Sequence, residues 1–264
     1  MRMLTDFPAS ARSRIHGVLL DLDDTLTTGG RLTSDAYFAL ERLYDAGLIT
    51  VLVTGRPAGW CDHIARMWPV RAVVGEGGSL CFWRDAHTHR LRQMYVDPAE
   101  VRRRNRAALV DIANRILAEV PGCAISSDQP YRECDLAIDW CEDVARLPME
   151  KVDRILALMR ESGLNAAASA GHVNGWFGDY DKLGMTRRFF HEILGIDLDA
   201  QRESFVYLGD SPNDCPMFRF FPHSIGVANV MDVRDRLTHA PTYITARRSG
   251  DGFCEAVAAL FEVR

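Results

Sequence analysis

Three carboxylates crowd one short stretch. The apolar run Gly17-Val-Leu-Leu ends in Asp21-Leu-Asp23-Asp24-Thr25-Leu26. A short continuous apolar run reads as a buried strand, and in open α/β sheets ligands bind beyond the carboxyl ends of the strands. Carboxylates this close repel one another unless positive charge lies among them. A hard divalent cation such as Mg2+ suits an all-oxygen donor set. Aspartate is also frequent in plain turns, so the stretch takes its meaning from the rest of the chain.

Three further loops carry polar groups that complement the first. A second apolar run, Leu48-Ile-Thr-Val-Leu-Val53, stops at Thr54-Gly55-Arg56-Pro57, which offers a hydroxyl and free backbone amides. Lys182 closes Gly178-Asp-Tyr-Asp-Lys ahead of a helical stretch, and only two of the 31 basic residues are lysine. Where arginine is so strongly preferred, a retained lysine points to a need for a compact ammonium. A later run, Ser204-Phe-Val-Tyr-Leu208, ends in Gly209-Asp210-Ser-Pro-Asn213-Asp214. If the sheet is parallel, the four loops face one crevice. Their combined chemistry is that of phosphoryl transfer, in which charge on the transferring group is neutralised while attacking and leaving oxygens are aligned.

The elements that must position these groups alternate. Strands over 15–21, 48–53 and 70–74 are separated by helices over 34–46 and 58–67, the grammar of a parallel sheet with crossover helices. The character changes near Phe82. A hairpin-like stretch, a helix over 99–119, strands over 123–127 and 134–139, a helix over 148–162 and strands over 164–169 and 172–177 read as an α+β insertion, in which two helix-then-strands blocks resemble duplicates. The Arg102-Arg-Arg cluster reads as a solvated helix face. Helices over 183–194, 215–220 and 253–261 and strands over 204–208 and 224–227 resume the first grammar. The expected fold class is therefore α/β, a doubly wound, Rossmann-like parallel-sheet core formed by residues 1–84 and 178–264, with an α+β cap inserted at 85–177.

The four loops, in order, resemble the motifs of the haloacid dehalogenase-like hydrolase superfamily: Asp21-x-Asp23-x-Thr25-Leu26, Thr54, Lys182 and Gly209-Asp210-x-x-x-Asp214. The insertion lies between the second and third motifs, the type IIB cap position, and the chain is similar to the branch that holds Cof-like, sucrose-phosphate and mannosyl-3-phosphoglycerate phosphatases. The resemblance implies a Mg2+-dependent phosphatase acting through an aspartyl-phosphate. Asp21 would be the nucleophile and Asp23 the general acid, then base. Thr54, Gly55 and Lys182 would hold the phosphoryl group. Asp21, the Asp23 carbonyl and Asp210 would bind Mg2+, with Asp214 and Asn213 as direct or supporting ligands. Position 24 is Asp where many members carry Gly, and Glu76-Gly77-Gly78 replaces the Glu-Asn-Gly common in sugar-phosphate phosphatases.

The substrate is expected to be a small phosphorylated metabolite, a sugar phosphate or glycosyl-phosphoglycerate. Arg56, Arg132, His172 and Asn174 are the candidate contacts, with Glu133 beside Arg132. A phosphomutase using the same aspartyl-phosphate is the alternative, and a non-catalytic binding protein the third. His87 and His89 read as loop residues, and the tryptophans as packing. The net charge of −5 argues against a general nucleic-acid binder, and no apolar run reaches the length of a membrane span. Residues 1–13 lack the apolar segment of a secretory signal. Seven cysteines, scattered and never spaced Cys-x-x-Cys, fit reduced thiols and a cytoplasmic location.

Overall fold

The computed structural model describes residues 1–169 and 171–263. Its larger sheet runs, edge to edge, Arg2–Met3 (β1), Tyr243–Ile244 (β13), His223–Gly226 (β12), Phe205–Gly209 (β11), Gly17–Leu20 (β2), Ile49–Val53 (β3), Ala72–Gly75 (β4), Leu80–Arg84 (β5) and Leu91–Tyr95 (β6). Pairing is parallel from β1 through β4 and antiparallel for β5 and β6. A smaller antiparallel sheet runs Ala124–Ile125 (β7), Asp135–Asp139 (β8), His172–Trp176 (β10) and Asn165–Ala168 (β9).

Successive strand residues point to opposite faces, and here both faces are covered. Val18, Leu20, Val206 and Leu208 pack with Ala9–Arg12 (α1), Ser34–Asp45 (α2), Ala58–Met67 (α3) and Ser249–Phe261 (α9). Leu19, Val51, Val53, Phe205 and Tyr207 pack with Lys182–Phe189 (α6), Leu198–Gln201 (α7) and Cys215–Phe220 (α8). Continuous apolar strands are what a sheet buried on both faces needs. Gly17 lets β2 lie close to its neighbours, since a Cβ there would stand 2.6 Å from the Ile49 carbonyl and 2.7 Å from the Phe205 ring. Among the described residues no helix is long and apolar enough to cross a membrane.

Ala99–Glu119 (α4) and Met149–Glu161 (α5) cover the smaller sheet, with Leu109, Ile116, Ile155 and Met159 packed on Leu136, Ile138 and Val173. Each helix is followed by two strands, and the two blocks place β8 and β10 centrally with β7 and β9 at the edges. That matches the duplicate pattern read from the sequence.

The structure corrects the expected boundary at residue 85. Leu91–Tyr95 pairs with Leu80–Arg84 in the larger sheet, because Trp83 and Met94 bury against Phe189 and its neighbours. The hairpin belongs to that sheet. Arg102 is also no plain solvated residue: its guanidinium lies 3.6 Å from the Tyr95 ring centroid and donates to the Asp97 carbonyl at 3.0 Å.

Candidate active site

β11, β2 and β3 are adjacent and parallel, and their register sets Leu208, Leu20 and Leu52 side by side. The residues that follow them, Asp210, Asp21 and Thr54, therefore emerge at one end of the sheet. Lys182 arrives as the first residue of α6, whose preceding residue Asp181 accepts the Gly184 amide at 2.6 Å. The loop after β4 presses on this helix start. Gly78 has φ +111, and a Cβ on it would lie 2.0 Å from the Asp181 carbonyl. Gly77 has φ +65, a conformation that Asn also tolerates, so the Gly-for-Asn exchange keeps the backbone. Asp24, where Gly is common, has φ +53.

Lys182 joins three of the expected residues. Its Nζ donates to Asp21 Oδ1 at 3.0 Å, Asn213 Oδ1 at 3.0 Å and Asp214 Oδ1 at 2.7 Å. Asp214 Oδ1 also accepts the Tyr207 hydroxyl at 2.6 Å, and its Oδ2 accepts the amides of Asp210 at 3.0 Å and Ser211 at 3.2 Å. A carboxylate offers about four acceptor positions, and these four bonds fill them. Asp214 thus holds the lysine and the turn, and Asp21 and Asp210 are the side chains with oxygen to give a metal. Asn213 is likewise engaged, accepting Ser211 Oγ at 3.0 Å besides the lysine.

Asp210 receives the Thr25 hydroxyl at 3.3 Å and Asn229 Nδ2 at 2.9 Å. Asn229 also donates to the Asp24 carbonyl at 3.0 Å. The sequence reading missed Asn229, although it follows a strand end just as the others do. Tyr207 was hidden inside an apolar strand.

Oxygens of Asp21, Asp210 and Asp214 come within 4.8 Å of one another, and Lys182 pairs with Asp21 and Asp214. Burial pushes the Asp21 carboxyl up to about 7, with Lys182 opposing and Asp214 and Asp23 adding. Burial, then Asp214 and Asp21, push Asp210 well above the usual carboxylate range. The cluster is short of positive charge. An all-oxygen donor set of this kind fits a hard divalent cation such as Mg2+.

Asp23 turns elsewhere. Arg56 Nε and Nη2 grip its carboxylate at 2.9–3.1 Å. The same guanidinium reaches Glu142 of the smaller unit through Nη2 at 2.9 Å and Nη1 at 3.2 Å, and lies 3.6 Å from Asp128. Glu142 in turn meets His172 Nε2 at 2.7 Å, and His172 Nε2 lies 3.0 Å from Ser126 Oγ. Bonding to His172, with Arg56, holds the Glu142 carboxyl down at about 2 against partial burial.

Thr54 Oγ1 accepts the Arg56 amide at 3.0 Å, closing the turn after β3. Gly55, Asp21, Asp23 and Asp210 face Ser169, His172 and Asn174 of the smaller unit across a cavity of about 20 Å³, about the space of one water. A groove of about 710 Å³ adjoins it and shares Ser169, Asp210, Ser211 and Asn213.

The four expected substrate contacts separate. Arg56, His172 and Asn174 line the small cavity. Arg132 does not: its guanidinium is buried against Asp128 at 2.9 and 3.0 Å, Asp135 at 3.0 and 3.1 Å, and the Gly55 carbonyl at 2.9 Å. It is a fastening between the two units, with every nitrogen spent. Glu133 points away towards Arg106 at 3.4 Å. Nearby, the Glu76 carboxylate accepts the amides of Ala58, Glu133 and Cys134 at 2.9, 2.8 and 2.6 Å, so it too spans the units.

Residues 18–108 match the family model for haloacid dehalogenase-like hydrolases. A phosphoglycolate phosphatase of Pyrobaculum neutrophilum is 29% identical over 91% of this chain and 93% of its own length. One from Methanobrevibacter smithii is 24% identical over 92% and 97%. The sucrose-phosphatase structure from Synechocystis sp. PCC6803, in complex with sucrose and phosphate, superposes with a TM-score of 0.62 at 16% identity, covering 94% of this chain and 98% of that one. The buried lysine among strand-end aspartates thus sits on a fold shared with that sucrose-phosphatase structure, in a chain whose residues 18–108 resemble the haloacid dehalogenase-like hydrolases. The relatives that align with nearly the whole chain are both phosphatases by name.

Proposed function

We propose that the chain is a Mg2+-dependent phosphatase of a small phosphorylated metabolite, working through an aspartyl-phosphate on Asp21. The observation that carries this reading is the charge imbalance at Lys182, where one buried ammonium serves a set of buried carboxylates. A site built to receive a cation and a phosphoryl group needs that deficit.

Asp21 attacks phosphorus as the ester P–O bond breaks, and Asp23 supplies the proton to the leaving oxygen. A carboxylate nucleophile splits one hard displacement into two. Asp23 then takes a proton from the water that attacks the aspartyl-phosphate, returning the P–O electron pair to Asp21 and releasing inorganic phosphate. Lys182 holds Asp21 for attack and offsets charge on the phosphoryl oxygens, with Thr54 and the Gly55 amide beside it. Mg2+, held by Asp21, Asp210 and the Asp23 carbonyl, would neutralise the transferring group.

The smaller unit acts as a cap whose motion admits substrate, since the closed cavity holds no more than a water. The adjoining groove, with Trp140, Arg146, Arg160, Arg236 and Arg248 on its walls, favours an anionic or polyol leaving group. A phosphorylated acid such as phosphoglycolate, the compound in the relatives' names, and a sugar phosphate are the two classes to compare. The test is phosphate release from phosphoglycolate and a set of sugar phosphates, with Mg2+ and with EDTA, beside Asp21→Asn. Mg2+-dependent release lost on that substitution is the expected result. Turnover indifferent to Asp21 would sink the reading.

A further inference from the structure

The carboxylate proposed for both proton transfers is not held by its own loop. Among the described residues the partner of the Asp23 side chain is Arg56, from the loop after β3. Arg56 is supported on the core side by Trp60, whose ring centroid lies 4.6 Å from the guanidinium carbon. On its other edge the guanidinium is gripped by both oxygens of Glu142. A planar fork can bind two carboxylates at once only in a fixed orientation, so the place of Glu142 dictates the place of Asp23.

Glu142 is itself fixed from the cap. Asp139 Oδ1 accepts the amides of Cys141 at 2.9 Å and Glu142 at 2.8 Å, and Oδ2 accepts Asp143 at 2.8 Å. His172 clamps the carboxylate from the side. The loop 140–143 therefore folds around the Asp139 carboxylate, which fixes the Glu142 backbone, while His172 fixes its side chain.

Resting on the function proposed above, we propose that Glu142 is a positioning residue: through Arg56 it holds the Asp23 carboxylate in place to take the proton of the attacking water when the cap closes on the aspartyl-phosphate. The water oxygen bonds to phosphorus, the phosphorus–Asp21 bond breaks, and the water proton passes to Asp23. A misplaced base slows this second step and leaves the first intact when the leaving group needs no proton.

The experiment uses p-nitrophenyl phosphate with Mg2+ on the full chain, its Glu142→Ala and Glu142→Gln variants, and Asp21→Asn. For Glu142→Ala we expect kcat and KM to fall together about tenfold while kcat/KM stays within about twofold, because kcat/KM reports only the steps up to phosphoenzyme formation. Radiolabelled phosphoenzyme should decay about tenfold more slowly in a chase. Glu142→Gln, which keeps shape and loses charge, moves the same way by less. A fall in kcat/KM would make Glu142 a substrate contact or a folding residue, and unchanged decay would make it irrelevant to hydrolysis; either overturns the inference while Asp21→Asn stays inactive. Turnover by Asp21→Asn would overturn the function and the inference together.

Discussion

Two buried charged clusters lie on either side of the interface between the larger and smaller sheets, and they are wired oppositely. Around Lys182 the carboxylates outnumber the cation, and burial drives Asp21 and Asp210 upward. Around Arg132 a guanidinium meets Asp128 and Asp135 with its nitrogens filled. There burial also acts on Asp128, but Arg132 outweighs it and holds the carboxyl below its usual range. Two carboxylates share one cation there too, but the guanidinium fork satisfies them and the cluster serves to fasten. The carboxylates around Lys182 stay raised, as a site waiting for a cation and a charged ligand would have them.

Breaking each cluster should give different signatures. The largest effect is expected for Lys182→Met, which should lower phosphate release by about a hundredfold to a thousandfold by removing charge aimed at the transferring group. Retained activity would put the lysine outside the chemistry. Arg132→Leu should cost about 3–5 kcal/mol in urea unfolding, because two buried carboxylates lose their partner, and the loss should be the same with Mg2+ or EDTA. A loss that Mg2+ repairs would erase the contrast between the clusters.

Mg2+ itself should stabilise the wild-type chain by about 2.7 kcal/mol at one hundred times its dissociation constant. Asp210→Asn should remove most of that gain, read as the Mg2+-dependent rise in melting temperature. At the seam between the clusters, burial and then Asp135 push the Glu76 carboxyl from 4.5 up to about 8. Between these values the folded chain keeps a proton that the unfolded chain releases, so stability should fall as pH rises from about 4.5 to about 8 and then level off. Glu76→Gln should flatten that slope in denaturant titrations at several pH values, and an unchanged slope would assign it to other groups. The smallest effect is for Tyr207→Phe, which deletes one donor to Asp214. It should cost about 1 kcal/mol and leave kcat within about threefold, because the lysine and two amides still hold that carboxylate.

The sequence by itself determined the alternation of strands and helices, and with it the loops bearing Asp21, Thr54, Lys182 and Asp210. This was legible because apolar runs and the polar residues that end them are local, and because a parallel sheet sends successive strand ends to one side. Only the tertiary structure decided the partners. Asp214, read as a direct or supporting metal ligand, carries Lys182, Tyr207 and two amides, contacts that no local pattern announces. Arg132, read as a substrate contact, turned to its own carboxylates. The hairpin to Tyr95 joined the larger sheet because Trp83 and Met94 found Phe189 there. β1 and β13, two residues each, are too short to carry a pattern. Arg56 and Glu142 are 86 positions apart, and no local spacing encodes such a pair. Type and period along the chain say which residues end up at the crevice; which of them touch is settled when the two sheets pack and every buried charge must find what balances it.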